Sequence, residues 1–157
     1  MTFELSSILH PELVKVPLEG TTKRETIDEL CDMLCASESI SNPDNFRRTV
    51  WDREGQRSTG IGEGLAIPHG KCPGVQEITM AIGIPREPVD FDSIDGKPVK
   101  MIVLLASPAS RIADHIQALG RISKFMADPV TRERAFESTD PDSLYALLAG
   151  LDAATRS

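Results

Sequence analysis

The stretch Val99-Lys100-Met101-Ile102-Val103-Leu104-Leu105-Ala106 is apolar except at Lys100, the pattern of a strand covered on both faces. Its longest uninterrupted apolar run, Met101 to Ala106, falls far short of the ~20 residues that span a bilayer. Upstream, Ile78, Met80, Ile82 and Ile84 alternate with Thr79, Ala81 and Gly83, which predicts a second strand. Between the two lies Ile94-Asp95-Gly96-Lys97. Its Asp-Gly pair is a turn signal and predicts a hairpin joining a short strand, Val89 to Phe91, to the central one, so the sheet is at least partly antiparallel. Leu65-Ala66-Ile67 reads as a further short strand.

Helical periodicity flanks this core. Thr22-Lys23-Arg24-Glu25 is a capping box, followed by Ile27, Leu30, Cys31 and Leu34, which predicts a helix over about 22–36. Asn42-Pro43-Asp44 places an N-cap, a first-turn proline and an acidic first turn ahead of Phe46, Val50 and Trp51, with an end near Gly55. After the central strand, Ile112, His115, Ile116, Leu119, Ile122 and Met126 recur at spacings of three and four on a helix over 111–127. Asp128-Pro129 restarts a shorter helix, and Asp140-Pro141 opens a last one that ends at Gly150. Helices, strands, then helices again predict one α/β domain over residues 1–150, a mixed β-sheet flanked by helices on both faces, with a short tail over 151–157.

The chain has 157 residues, 17 basic against 24 acidic groups for a net charge of −7, and only 4% aromatic residues. With a sequence pI near 4.9, it has neither the basic footprint nor the stacking platforms that nucleic acids require. The start, Met1-Thr2-Phe3-Glu4, lacks a basic signal-peptide region, so a cytoplasmic location without stable membrane insertion is expected. Three cysteines, Cys31 and Cys35 one helical turn apart and Cys72 alone, fit reduced thiols better than a disulfide framework.

The segment most charged with chemistry is Ser58-Thr59-Gly60-Ile61-Gly62-Glu63-Gly64-Leu65-Ala66-Ile67-Pro68-His69-Gly70-Lys71. A dinucleotide fingerprint starting at Gly60 needs a third glycine where Leu65 stands and a hydrophobic strand where Arg53 to Arg57 stand. A Walker loop needs glycine at Leu65 and Ser or Thr at Cys72. Neither nucleotide site is supported. What survives is a short apolar strand delivering Pro68-His69-Gly70, where proline stiffens the approach and glycine admits a close neighbour. That suits a presented nucleophile, and it equally suits a capping or core histidine.

His115 lies on the apolar stripe of a helix that should cross the sheet. It is either a satisfied core residue or a partner of His69, one ring attacking and the other donating to phosphoryl oxygens. A metal site is disfavoured, because only His10 and scattered carboxylates remain to complete it and no HExxH spacing exists. Arg47, Arg48, Arg53 and Arg57 cluster before the loop; Arg53 and Arg57 would share a face if the helix extends that far. Such arginines supply a planar charged fork for phosphate or form an ordinary solvated surface. Glu63 orients an imidazole or faces water.

Arg53-Glu54 followed by Ser58 to Gly70 strongly resembles the active-site signature of the EIIA domains of the mannitol/fructose/nitrogen-regulatory class of the bacterial phosphoenolpyruvate-dependent phosphotransferase system. Phe91-Asp92-Ser93-Ile94-Asp95-Gly96-Lys97-Pro98-Val99, Leu104-Leu105-Ala106-Ser107-Pro108 and Asp114-His115-Ile116-Gln117-Ala118-Leu119 extend the likeness over nearly the whole chain. The resemblance implies a mixed sheet with helices on both sides. It also implies that His69 is phosphorylated through Nε2 by an HPr-like phosphocarrier, that His115 and Arg53 assist, and that Glu63 lines the phosphate site, where Gly70 and Arg57 are expected as further lining residues. No metal, nucleotide or other cofactor is implied. The acceptor is then the cysteine of an EIIB protein on another polypeptide, for sugar uptake. The different-class reading is a nitrogen-regulatory module whose phosphorylation state controls protein partners. The Ser-Thr-Gly-Ile-Gly stretch is closer to the fructose and nitrogen-regulatory branches than to the mannitol one.

Overall fold

The computed structural model describes residues 4–155. Strand β1 (Val14–Leu18) precedes helices α1 (Lys23–Cys35) and α2 (Pro43–Gln56); then come β2 (Gly60–Gly62), β3 (Leu65–Ala66), β4 (His69–Cys72), β5 (Thr79–Pro85) and β6 (Met101–Pro108); helices α3 (Ile112–Ala127), α4 (Pro129–Phe136) and α5 (Pro141–Thr155) close the chain. The six strands form one sheet in the order β1-β5-β6-β3-β2, with β4 also paired to β6. Pairings β1·β5, β3·β6 and β4·β6 are parallel, whereas β5·β6 and β2·β3 are antiparallel. The sheet is mixed, as the element order predicts.

Strand β6 is the centre of the molecule. Met101, Val103 and Leu105 pack with Ala118, Ile122, Phe125 and Met126 of α3 and with Leu144 and Leu148 of α5. Their neighbours Ile102, Leu104 and Ala106 pack with Ile27, Leu30 and Leu34 of α1 and with Phe46 and Val50 of α2. Side chains alternate across a strand, so one apolar run supplies both cores and both helical layers.

The helices begin where their caps dictate. Thr22 Oγ1 accepts from Glu25 N at 3.1 Å, and Glu25 reaches back to Thr21 N at 2.8 Å. Asn42 Oδ1 accepts from Asn45 N at 3.1 Å, with Pro43 as the first helical residue. Each such cap contributes on the order of 1 kcal/mol.

Several local expectations are corrected. The Val89–Phe91 segment forms no strand: it meets β6's approach only at an isolated antiparallel bridge, Val89 to Val99, because Asp92 at φ 53° turns the chain away. The strand expected at Leu65-Ala66-Ile67 covers Leu65–Ala66 only; Ile67 and Pro68 separate it from β4, and the two lie end to end along β6. On α3, Ile112 and Ile116 are 52% and 62% exposed, and the buried stripe runs His115, Ala118, Ile122, Phe125, Met126 instead. Ile116 follows buried His115 directly and is rotated by about 100° from it, so it and Ile112 flank the stripe rather than belong to it. Helix α5 passes through Gly150 to Thr155, so the expected tail is helical over 151–155 and residues 156 and 157 lie outside the described residues. Strand β1 had no sequence signal, since Pro17 interrupts it; its place at the sheet edge tolerates a proline.

Candidate functional site

His69 opens β4 and pairs in register with Leu105 of β6. It shares the parity of Leu65 and Ile67, which face α3, while Gly70 turns to the other face. A Cβ on Gly70 would lie 3.0 Å from Val50 Cγ2 and 3.2 Å from Phe46 Cε1, so α2 lies directly against the backbone there. Gly70 thus seats β4 on α2 rather than lining the cavity beside His69.

The imidazole of His69 is fixed by its own backbone: Nδ1 lies 2.8 Å from the carbonyl oxygen of Ile67. A carbonyl only accepts, so in the neutral ring Nδ1 carries the proton and Nε2 holds the free lone pair. Burial holds the His69 pKa below the ordinary histidine value; the Ile67 carbonyl and the Glu54 carboxylate oppose this shift, and the Arg53 charge adds to it.

His115 meets it from α3. The ring centroids are 5.3 Å apart with the planes at 62°. His115 is 7% exposed, and its Nδ1 lies 2.7 Å from Ser107 Oγ. Burial first, then the charges of His69 and Lys71, push its pKa down to about 4. Ser107 stands on the same face of β6 as Leu105 and Val103, which is why a hydroxyl at the strand's end reaches the inward histidine of α3.

A cavity of about 350 Å³ opens beside His69, lined among others by Arg53, Arg57, Ile61, Ile94 and Leu119. Both arginines border it, but not through a shared helical face. Helix α2 ends at Gln56, Arg57 is extended at φ −169°, and Arg53 Nη1 donates to the Arg57 carbonyl at 2.8 Å. Arg47 points elsewhere and pairs with Asp32 at 2.7 Å, and Arg48 is an exposed residue. The four arginines therefore separate into two beside the cavity and two away from it.

Glu63 is also displaced from its expected place. It occupies a left-handed turn at φ 56° between Gly62 and Gly64, both of positive φ. Its carboxylate stands 3.8 Å from Lys97 and 3.6 Å from Arg132, and it borders a separate cavity with them. The turn carries its side chain away from His69.

Three residues quoted above for the resemblance, Glu54, Thr59 and Ser107, take part in the site in roles that the sequence did not assign. Glu54 is buried, accepting from Thr59 N at 2.8 Å and Thr59 Oγ1 at 2.5 Å and pairing with Lys23 Nζ at 2.9 Å. A signal existed: Phe46, Val50 and Glu54 recur at spacings of four, so the carboxylate stands on the core stripe of α2. Ser107 and Thr59 carried no comparable pattern. Cys31 is buried with its thiol pushed up to about 12 by that burial, Cys72 is buried, and all three cysteines are free thiols. Among the described residues no group of three or more His, Cys, Asp or Glu side chains could hold a metal ion, and no helix is long and apolar enough to cross a membrane.

An imidazole with a free Nε2, a second buried imidazole and a cationic rim is an arrangement for receiving a phosphoryl group. Known proteins agree in kind. The family model described as "Phosphoenolpyruvate-dependent sugar phosphotransferase system, EIIA 2" matches residues 7–150. The chain is 30% identical over 146 residues to the fructose-specific EIIA component of Haloferax volcanii, covering 93% of this chain and 95% of that one. It is 31% identical over 149 residues to a nitrogen regulatory protein of Bradyrhizobium diazoefficiens, covering 92% and 94%. The crystal structure of nitrogen regulatory protein IIA-Ntr from Neisseria meningitidis superposes with a TM-score of 0.85 at 30% identity, over 92% of this chain and 98% of that one. Against the larger fructose-specific EIIABC component of Bacillus subtilis, the chain spans 23% of the length. The chain belongs to the EIIA 2 family of the phosphoenolpyruvate-dependent sugar phosphotransferase system.

Proposed function

We propose that the chain is a phosphohistidine carrier in which His69 is the phosphorylated residue. The supporting observation is the Nδ1 to Ile67 carbonyl bond at 2.8 Å, which leaves the free lone pair on Nε2 of a ring that packs against His115 and lines the arginine-bordered cavity. In the forward step the Nε2 lone pair attacks the phosphorus of an HPr-like phosphohistidine. The N–P bond of the donor breaks, and the departing imidazole takes up a proton. Burial keeps His69 neutral near pH 7, which supports the nucleophile role.

His115 assists when the Ser107 hydroxyl donates to its Nδ1, leaving Nε2–H free to donate to a phosphoryl oxygen. Arg53, with Arg57, adds permanent positive charge at the cavity. Onward transfer goes to the thiolate of an EIIB cysteine, forming an S–P bond as the His69 N–P bond breaks. Ile61 and Ile94, 44% and 65% exposed beside the cavity, fit a protein partner rather than a free sugar.

A second reading, a nitrogen-regulatory module whose phosphorylation state controls a protein partner, is favoured by the likeness to IIA-Ntr over 98% of that chain. Incubation with phosphoenolpyruvate, Enzyme I and an HPr-like carrier, followed by acid-labile phosphate analysis, tests the shared step. Adding EIIB proteins to the labelled protein separates the readings: label passing to a thiol supports transport, and label retained against every EIIB supports regulation.

A further inference from the structure

A continuous hydrogen-bonded path connects α1 to the His69 ring. Lys23 Nζ lies 2.9 Å from Glu54 Oε2, and Glu54 accepts from both N and Oγ1 of Thr59. Ile67 N donates to the Thr59 carbonyl at 3.0 Å, and the Ile67 carbonyl accepts from His69 Nδ1 at 2.8 Å. Resting on the proposed carrier reading, we propose that Glu54 is a positioning residue for phosphoryl transfer. Its carboxylate, locked between Lys23 and Thr59, holds the Ile67 carbonyl that orients the His69 ring and the helix end that carries Arg53.

Three observations favour this over a role in stability alone. The Glu54 side chain is 2% exposed and Thr59 is 3% exposed, so this pair lies in the interior, with Lys23 reaching it from the rim, and there an apolar replacement of similar shape is often no less stable. Both carboxylate oxygens are used, which fixes rotation as well as distance. Glu54 also follows Arg53 directly on α2, so the same residue fixes the nucleophile's tether and the helix end whose arginine borders the cavity. The Glu54 charge acts on the His69 ring as well, opposing the effect of Arg53.

The experiment reads two signals on the intact chain. Nitrogen-15 spectra of labelled histidine report the His69 tautomer and titration without any donor, and phosphorylation by phosphoenolpyruvate, Enzyme I and an HPr-like carrier reports the rate. Glu54→Gln is expected to lower the His69 pKa, reduce the Nδ1–H population and slow phosphorylation about 10- to 100-fold, the range seen when an orienting partner is lost. Thr59→Val removes only the hydroxyl contact; it should slow the reaction less, with the His69 titration unmoved. A folded Glu54→Gln protein with wild-type tautomer, titration and rate overturns the proposal. If that variant does not fold, Thr59→Val decides, and a wild-type rate and tautomer there overturn it. A wild-type protein that takes no label overturns the carrier reading instead, while the spectra still judge Glu54.

Discussion

The His69 and His115 rings stand edge to face with centroids 5.3 Å apart, one tethered to a backbone carbonyl and the other to a buried serine. Only the first has its outward nitrogen fixed as a lone pair, because Ile67 O accepts and nothing else. His69→Ala is therefore expected to abolish acid-labile labelling by the phosphoenolpyruvate relay while the fold is kept, as the ring is only half-buried and borders an open cavity. Phosphopeptide mapping checks it: label persisting in the variant would place the nucleophile elsewhere.

Ser107 is fully buried and offers His115 its hydrogen bond. If the hydroxyl donates, His115 presents Nε2–H to the phosphoryl group; without it, the ring can take the other tautomer and lose that donor. Loss of one such donor costs about 100-fold in rate in comparable oxyanion sites. Ser107→Ala and His115→Ala are both expected to slow phosphorylation, Ser107→Ala by the smaller factor, and stopped-flow quench of label incorporation measures both. Equal rates in all three proteins would return His115 to the core.

Acid stability follows from the same burial. The folded pKa of His115 is pushed to about 4 from 6.5, below its unfolded value, so the unfolded chain binds the extra proton between these limits. The contribution is present in full above pH 6.5 and is lost as pH falls from 6.5 towards 4. Its size is about 3 kcal/mol as an upper bound. Urea unfolding of His115→Gln should lose stability less steeply than wild type across that interval, and parallel curves would show that His115 does not carry the effect.

The legible parts of this protein are those in which one residue's neighbours along the chain determine its role. The double-sided run Met101 to Ala106, the caps at Thr22 and Asn42 and the glycine-rich approach to His69 all belong to this class, and the sheet, its helical layers and the two histidines could be read from them. What was not legible depends on where a turn sends a side chain. Glu63 lies within the signature, yet its left-handed backbone carries it to Lys97 and Arg132. Ile112 and Ile116 fit the helical period but flank the stripe that is buried, which is centred on His115, Ala118, Ile122 and Phe125. Glu54 shares the core stripe of α2 with Phe46 and Val50, but its role depends on partners distant in sequence or beyond the helix end, Lys23 and Thr59.

Gly70 is the point where the nucleophile's strand touches α2. An added Cβ would lie 3.0 Å from Val50 and 3.2 Å from Phe46, both fully buried and unable to withdraw freely. Gly70→Ala should destabilise the fold by about 1–3 kcal/mol, the usual effect of overpacking. Because β4 must shift away from α2, the phosphorylation rate should fall as well. Thermal unfolding and label incorporation measured together test the coupling, and an unchanged melting temperature would mean that α2 gives way without strain.

Ile94 is 65% exposed and Ile61 is 44% exposed, and both border the His69 cavity. Apolar side chains so placed around a charged centre are suited to burial against a partner that brings its own phosphohistidine, since exclusion of water strengthens the electrostatic contacts within. A charge there should weaken the encounter without touching the reacting atoms. Ile94→Asp is expected to raise KM for the HPr-like donor about 10-fold, equivalent to about 1.4 kcal/mol of lost binding, with kcat nearly unchanged. A fall in kcat at constant KM would instead place Ile94 among the residues that shape the cavity for the phosphoryl group.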